Sequence, residues 1–252
     1  MGTIYAVANQ KGGVGKTTTA VNLAACVAEA GYRALVVDVD PQCNATVGLG
    51  LAKDLEPTVY DVLAGDATAA EAIRATDVER LDVIPSTSDL AGANVELPTL
   101  DGWEGRLRDA LAPLRDDYAF TLLDCPPSLG PLTVDALAAA DRLIVPVQTE
   151  YYALEGLAQL AQSINLIKTR LNPRLEIAGV LLTMADGRTR LSAEVEAEVR
   201  RHFGPLVFEA VVPRSVRVAE APSHGLPVTH YDRRSRGAEA YWKVAMELVE
   251  RR

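Results

Sequence analysis

Lys11-Gly12-Gly13-Val14-Gly15-Lys16-Thr17-Thr18 is the segment whose residue types and spacing carry the most specific chemistry in this chain. Gly12, Gly13 and Gly15 let successive backbone N–H groups turn inward. The helical pattern that follows, Thr19-Ala20-Val21-Asn22-Leu23-Ala24, sets its positive N-terminus behind them. Such a cradle takes phosphate oxygens. Lys16 would contact the β and γ phosphates of a nucleotide, and the Thr17 hydroxyl suits Mg²⁺, which prefers a few protein oxygens together with phosphate and water. Val14 and Thr18 complete the loop. The general pattern G-x-x-x-x-G-K-[ST] asks for glycine at position 10, where this chain has Gln10, so the loop is a variant.

Three carboxylates belong to the same chemistry. Val36-Val37-Asp38-Val39-Asp40-Pro41-Gln42 ends an apolar run with two of them, at the strand edge where parallel sheets bind ligands. Period-two alternation points Asp38 and Asp40 to one side, so both can approach a metal ion and an attacking water. Thr121-Leu122-Leu123-Asp124-Cys125 ends another apolar run in Asp124, expected to hold a Mg²⁺-bound water. Thr17, Asp38 and Asp124 are thus the metal-side residues.

Apolar runs of strand length alternate with amphipathic segments of helix length throughout, which predicts a single α/β domain over residues 1–252 with a mostly parallel, twisted sheet and helices on both faces. Strands are expected near Thr3–Asn9, Arg33–Asp38, Leu81–Pro85, Phe120–Asp124, Arg142–Pro146, Leu175–Thr183 and Val207–Val211. The clearest helices are Lys16–Ala30, Leu132–Ala140, Ala153–Thr169, Leu191–Phe203 and Arg236–Glu250, with Gly31 and Gly204 as C-terminal caps. Shorter ones are expected over Val59–Ala64, Leu90–Leu97 and Trp103–Leu114.

Composition narrows the partners. Formal net charge is −9, yet residues 1–185 carry 13 Lys and Arg against 24 Asp and Glu, whereas residues 186–252 carry 12 against 10. Positive charge, which any phosphate backbone requires, is concentrated late in the chain. Cys26, Cys43 and Cys125 lack C-x-x-C spacing, which suits reduced thiols. Charges punctuate every apolar stretch before it reaches membrane-spanning length, and the start lacks a secretory pattern. The expected location is cytoplasmic.

The variant loop, Asp38-Val39-Asp40-Pro41-Gln42, Asp124-Cys125-Pro126-Pro127, the stretch Pro146-Val147-Gln148-Thr149-Glu150-Tyr151-Tyr152-Ala153-Leu154-Glu155-Gly156, and Pro213-Arg214 through Glu220-Ala221-Pro222-Ser223 together resemble the ParA/Soj family of chromosome-partitioning ATPases. KGGVGKTT is the "deviant" Walker A sequence of the MinD/ParA superfamily. The resemblance implies an ATPase with ATP and Mg²⁺ as cofactors, which forms a homodimer on binding ATP. It implies that Lys11 reaches the nucleotide of the other subunit, in the manner of an arginine finger. It implies that Asp40 positions the attacking water and that Pro213 and Ser215 flank the adenine.

The same resemblance places Arg188 and Arg217 on a face that binds double-stranded DNA nonspecifically. Arg190 and Arg214 occupy the same two loop-to-helix junctions. Nucleoid association and a ParB-like centromere-binding partner are further implications. Two departures stand out: Cys43 replaces the usual glycine after Asp-Pro-Gln, and Ser215 replaces the usual asparagine. The alternative is a MinD-like membrane switch, because Tyr241–Glu250 is amphipathic. Glu239, Glu247 and Glu250 would repel an anionic leaflet, so no membrane partner is expected.

Overall fold

Short, almost wholly apolar segments make the middle of the sheet, because a strand covered on both faces has no side open to water. In the computed structural model, which describes residues 2–150, 162 and 164–252, these are β1 (Thr3–Val7), β2 (Ala34–Asp38) and β5 (Phe120–Asp124). β4 (Leu81–Ile84), β6 (Arg142–Gln148) and β7 (Glu176–Thr183) flank them, and a two-residue β3 (Arg74–Ala75) closes one edge. The order is β3-β4-β2-β5-β1-β6-β7, with every pairing parallel except β3 with β4. The chain leaves β1 in one direction and β5 in the other, so a crevice opens beyond their C-terminal ends. Register aligns those ends: Val7 and Asp38 each pair with Asp124.

Each face of the sheet carries its own apolar core. On one face α1 (Lys16–Glu29) is buried along most of its length, and its small residues, Ala20, Ala24, Ala25 and Ala28, let it lie between the sheet and a second layer. That layer is the last helix, α11 (Arg236–Glu250), whose Tyr241, Val244, Ala245 and Leu248 are buried. The Tyr241 hydroxyl reaches Thr19 Oγ1 at 3.4 Å. The apolar stripe of the C-terminal helix is therefore spent inside the protein.

The other face is covered by α3 (Val59–Ala64), α5 (Leu90–Glu96), α6 (Arg106–Leu111) and α7 (Pro131–Ala139), which bury Val59, Leu63, Leu90, Leu107 and Leu132. The short helices α2 (Asn44–Gly48) and α4 (Ala69–Ala72) precede β3. In the last third lie α8 (Arg190–Phe203), α9 (Val216–Glu220) and α10 (Val228–Tyr231).

Three expectations need correction, and one falls largely outside the described residues. Val207–Val211 is not a strand; beside β7 it forms one isolated bridge, Val207 with Val180, and donates the Phe208 N–H to the Val180 carbonyl at 3.0 Å, while a second bridge pairs Ala185 with Pro213 just beyond both segments. The cause is α11, where the Glu247 carboxylate takes the N–H groups of Glu209 and Ala210, both at 2.8 Å. Trp103–Leu114 is not one helix but a 3-10 turn, α6 and a second 3-10 turn, broken at Gly105 and Pro113. β3 was not anticipated, since two residues show no alternation. Of the expected helix Ala153–Thr169, residues 164–170 are helical and most of the remainder lies outside the described residues.

Candidate active site

The loop after β1 is held from three sides. Gly13 and Gly15 take left-handed φ values of 75° and 87°, conformations that a side chain disfavours. Asn9 anchors the entrance, donating from Nδ2 to the Pro146 carbonyl at 2.7 Å and accepting the Lys11 N–H at 3.0 Å. Thr183, at the end of β7, donates its hydroxyl to the Val14 carbonyl at 2.9 Å. Gly15 then caps α1 without a side-chain bond, leaving the first amides of the helix facing the crevice.

Lys16 is buried, with Nζ 3.3 Å from the Lys11 carbonyl. Burial pulls its pKa down, and the charges of Asp124 and Asp40 pull it back up. An ammonium buried at the mouth of the glycine loop is placed for phosphate oxygens.

The three carboxylates differ in what their oxygens do. Asp38 is fully engaged: Oδ1 accepts the Asp40 N–H at 3.2 Å, and Oδ2 accepts the Thr46 N–H at 2.8 Å and its hydroxyl at 2.7 Å. Burial raises its pKa to about 6 against these donors. Asp40 is also buried; its Oδ1 accepts the Gln42 N–H at 3.0 Å.

Asp124 is the opposite case, because both oxygens are buried and neither makes a hydrogen bond of ordinary geometry. Burial drives its pKa well above the usual carboxylate range, reinforced by the Asp38 charge and opposed by the Thr17 hydroxyl and Lys16. An orphaned carboxylate beside Thr17 fits a hydrated divalent cation. Among the described residues no three His, Cys, Asp or Glu side chains converge as direct ligands, so such a cation would rely on Thr17, water and phosphate. Asp38, expected on the metal side with Asp124, accepts hydrogen bonds from the loop that carries Asp40 and Thr46.

A cavity of about 430 Å³ opens over these groups. Gly12, Gly13, Gly15, Lys16, Thr17, Thr18 and Asp40 line one end, and Val21, Val47, Pro222 and Leu226 line the other. Pro213 and Ser215 are not among its lining residues. Pro213 is bridged to Ala185, and Ser215 lies beside Gly237 of α11. Pro222 sits in a motif already visible in the sequence, but nothing in its spacing assigned it to the cavity.

Lys11 does not line the cavity either. Its Nζ pairs with Glu150 Oε2 at 3.2 Å, and Glu150 also accepts from Gln148 Nε2 at 2.6 Å.

The two junctions that carry the late arginines are joined by the pairing of Ala185 with Pro213 and by the Arg214 N–H donating to the Ala185 carbonyl at 3.0 Å. Arg188 forks onto Asp186 at 2.9 and 2.8 Å, and that bond holds the Asp186 carboxyl well below its usual range, with the Arg214 charge adding to the effect. Arg190 pairs with Glu194 at 2.8 Å, and Arg217 with Glu220 at 3.1 Å and Asp232 at 3.3 Å. All four side chains are exposed, and exposed pairs are worth only about 0–1 kcal/mol, so these guanidinium groups can exchange partners cheaply.

Buried hydroxyls connect this turn to the phosphate loop. Ser192 Oγ accepts the Asp186 N–H at 3.2 Å and donates to Thr149 Oγ1 at 2.8 Å; the Thr149 N–H donates to the carbonyl of Thr183 at 3.3 Å. The three cysteines are buried and free. Among the described residues no helix is long and apolar enough to cross a membrane.

Comparison with known proteins agrees with this geometry. A family model described as an AAA domain matches residues 2–177. The sporulation initiation inhibitor protein Soj of Bacillus subtilis is 55% identical over 250 residues, covering 99% of each chain. The chromosome partitioning protein ParA of Myxococcus xanthus is 51% identical over 252 residues, covering 100% of this chain and 89% of that one. Among solved structures, cobyrinic acid a,c-diamide synthase from Mycobacterium smegmatis with bound ADP and magnesium superposes with a TM-score of 0.87 at 38% identity, covering 99% of this chain and 95% of that one. With the variant phosphate loop, three strand-end carboxylates and full-length similarity in agreement, the chain belongs to the ParA/Soj family of chromosome-partitioning ATPases, within the MinD/ParA superfamily.

Proposed function

We propose that this protein is a Mg²⁺-dependent ATP hydrolase that dimerises on ATP, binds DNA nonspecifically as the dimer, and drives chromosome or plasmid segregation with a ParB-like partner. The observation that carries the reading is the buried Lys16 ammonium beside an Asp124 carboxylate with two unpartnered oxygens, at the mouth of the glycine loop. Mg²⁺, when bound, would neutralise charge on the phosphates. The amides of Gly12–Thr18 and the Lys16 ammonium bind the β and γ phosphates, and Asp40 orients the attacking water and draws on its proton. The water oxygen bonds to the γ phosphorus as the bond to the β–γ bridging oxygen breaks, giving ADP and phosphate.

Lys11 supplies the remaining positive charge to the partner subunit's triphosphate. In the single chain it rests on Glu150, a half-exposed pair that costs little to open. Hydrolysis therefore requires two protomers. Pro213 and Ser215 would approach the adenine only if their loop turns toward the crevice, and Pro222 and Leu226 offer apolar surface nearer the phosphates.

Arg188, Arg190, Arg214 and Arg217 form the DNA face. About three phosphate contacts per protomer give about six per dimer and a log–log salt slope near −5, so a monomer binds weakly and dimerisation alone switches binding on. This makes the protein cytoplasmic and nucleoid-associated. Sedimentation velocity with ATP, ADP and a nonhydrolysable analogue, with and without DNA, tests the scheme. Lone molecules persisting at saturating ATP would overturn it.

A further inference from the structure

The loop that carries Asp40 is organised by a residue outside the nucleotide cavity. Asp38 Oδ2 takes two bonds from Thr46, the backbone N–H at 2.8 Å and the hydroxyl at 2.7 Å, while Oδ1 takes the Asp40 N–H at 3.2 Å. Thr46 Oγ1 also accepts the Ser86 N–H at 2.9 Å, just beyond β4. Asp38, Thr46 and Ser86 are all buried. Since the Ser86 amide can only donate, the hydroxyl oxygen must accept there, and its single proton is left for Asp38. The direction of both bonds is thereby set.

Between the two anchor points the chain makes a tight turn, with the Cys43 N–H donating to the Asp40 carbonyl at 2.9 Å and Cys43 itself at a left-handed φ of 58°. Asn44, Val47 and Gly48 line the nucleotide cavity, but Thr46 does not; it faces Asp38 and β4 instead.

From this geometry we infer that Thr46 is a positioning residue for hydrolysis, which fixes the Asp38 carboxylate and, through it, the placement of Asp40. The inference rests on the hydrolytic reading above and deepens it. The Thr46 hydroxyl ties the exit of the Asp40 loop to the end of β4, the strand next to β2 in the sheet, so the loop cannot shift without breaking buried bonds. An apolar isostere keeps the shape, removes one of the three donors to Asp38 and leaves the Ser86 N–H buried without an acceptor.

The test compares Thr46→Val with Thr46→Ser in the full chain, using Mg²⁺ and ATP. Steady-state kinetics give kcat and KM; a fluorescent ATP analogue gives nucleotide affinity; sedimentation gives the ATP-dependent dimer. Thr46→Val should lower kcat by about ten- to a hundredfold, while KM, affinity and dimerisation stay within about threefold. Thr46→Ser should restore kcat to within about threefold of the parent.

Three results would overturn the inference: a parental kcat in Thr46→Val, a Thr46→Ser variant as slow as Thr46→Val, or a folded Thr46→Val that loses rate, affinity and dimerisation together. If circular dichroism shows Thr46→Val unfolded, Thr46→Ala takes its place in the comparison with the same expectations. A parent chain with no ATP turnover would instead sink the hydrolytic reading itself, so the two failures are distinguishable.

Discussion

Asp135 should make the stability of this protein fall measurably between pH 6 and pH 8. The residue lies in α7 at 1% exposure, and both its oxygens accept the Leu107 N–H, at 3.3 and 3.2 Å, at the start of α6. Burial pushes its carboxyl up to about 7, although the Leu107 amide and the charges of Arg106 and Arg108 pull it down. The folded pKa lies above the unfolded one, so the native state holds the proton more tightly. The associated stability is complete below about pH 4 and lost as pH rises through about 7.

Between pH 6 and pH 8 the loss from this one group is on the order of 1 kcal/mol, the native carboxyl being mostly protonated at the first and mostly ionised at the second. Asp135→Asn keeps a carbonyl acceptor for the Leu107 N–H and removes the titration. Urea unfolding at the two pH values, on both proteins, isolates the effect, because every other titrating group cancels in the comparison. The parent should lose on the order of 1 kcal/mol more than the variant. Equal losses in the two proteins would refute the reasoning. The result bears on the active site, because α7 follows directly from the loop that leaves Asp124.

Lys16→Ala removes the ammonium that balances Asp124 and Asp40, and should leave a chain that sediments as a monomer with or without ATP. Asp40→Ala should keep ATP-dependent dimerisation and slow turnover by about a hundredfold or more, holding the dimer on DNA in a co-sedimentation assay; unchanged phosphate release would remove Asp40 from the mechanism. Arg217→Ala should weaken DNA binding and make the log–log salt slope shallower by about 2 for the dimer, as measured by fluorescence anisotropy, because each protomer gives up one contact. Its pairs with Glu220 and Asp232 are exposed, so the melting temperature should barely move.

Much of the site was legible from local pattern. The loop from Lys11 to Thr18 announces itself by glycine spacing, and Asp38 and Asp124 announce themselves as the first charges after apolar runs; both end central strands in the structure. α1 and α11 carry helical periodicity strong enough to place them to within a residue. The two elements that failed did so for different reasons, one because a partner far along the chain intervened and the other because of residues within the segment itself. Val207–Val211 reads as a strand in isolation, yet Glu247 claims two of its amides. Trp103–Leu114 reads as a helix until Gly105 and Pro113 are given their full weight.

What the amino-acid order determined by itself was the class of chemistry and the kind of scaffold, because phosphate loops, strand-end carboxylates and 3.6- or two-residue periods are properties of neighbours in the chain. What only the tertiary structure decided was how each group is employed: that Asp38 is consumed by Thr46 while Asp124 stays unpartnered, that Lys11 rests on Glu150, and that Pro222 rather than Pro213 borders the cavity. Those outcomes depend on contacts between residues far apart in sequence, such as Lys11 with Glu150 or Asn22 with the Val228 amide. Such contacts arise only when the order of strands in the sheet brings distant segments to one edge, and a hydrogen bond requires its partners within about 3 Å, a condition that no local spacing encodes.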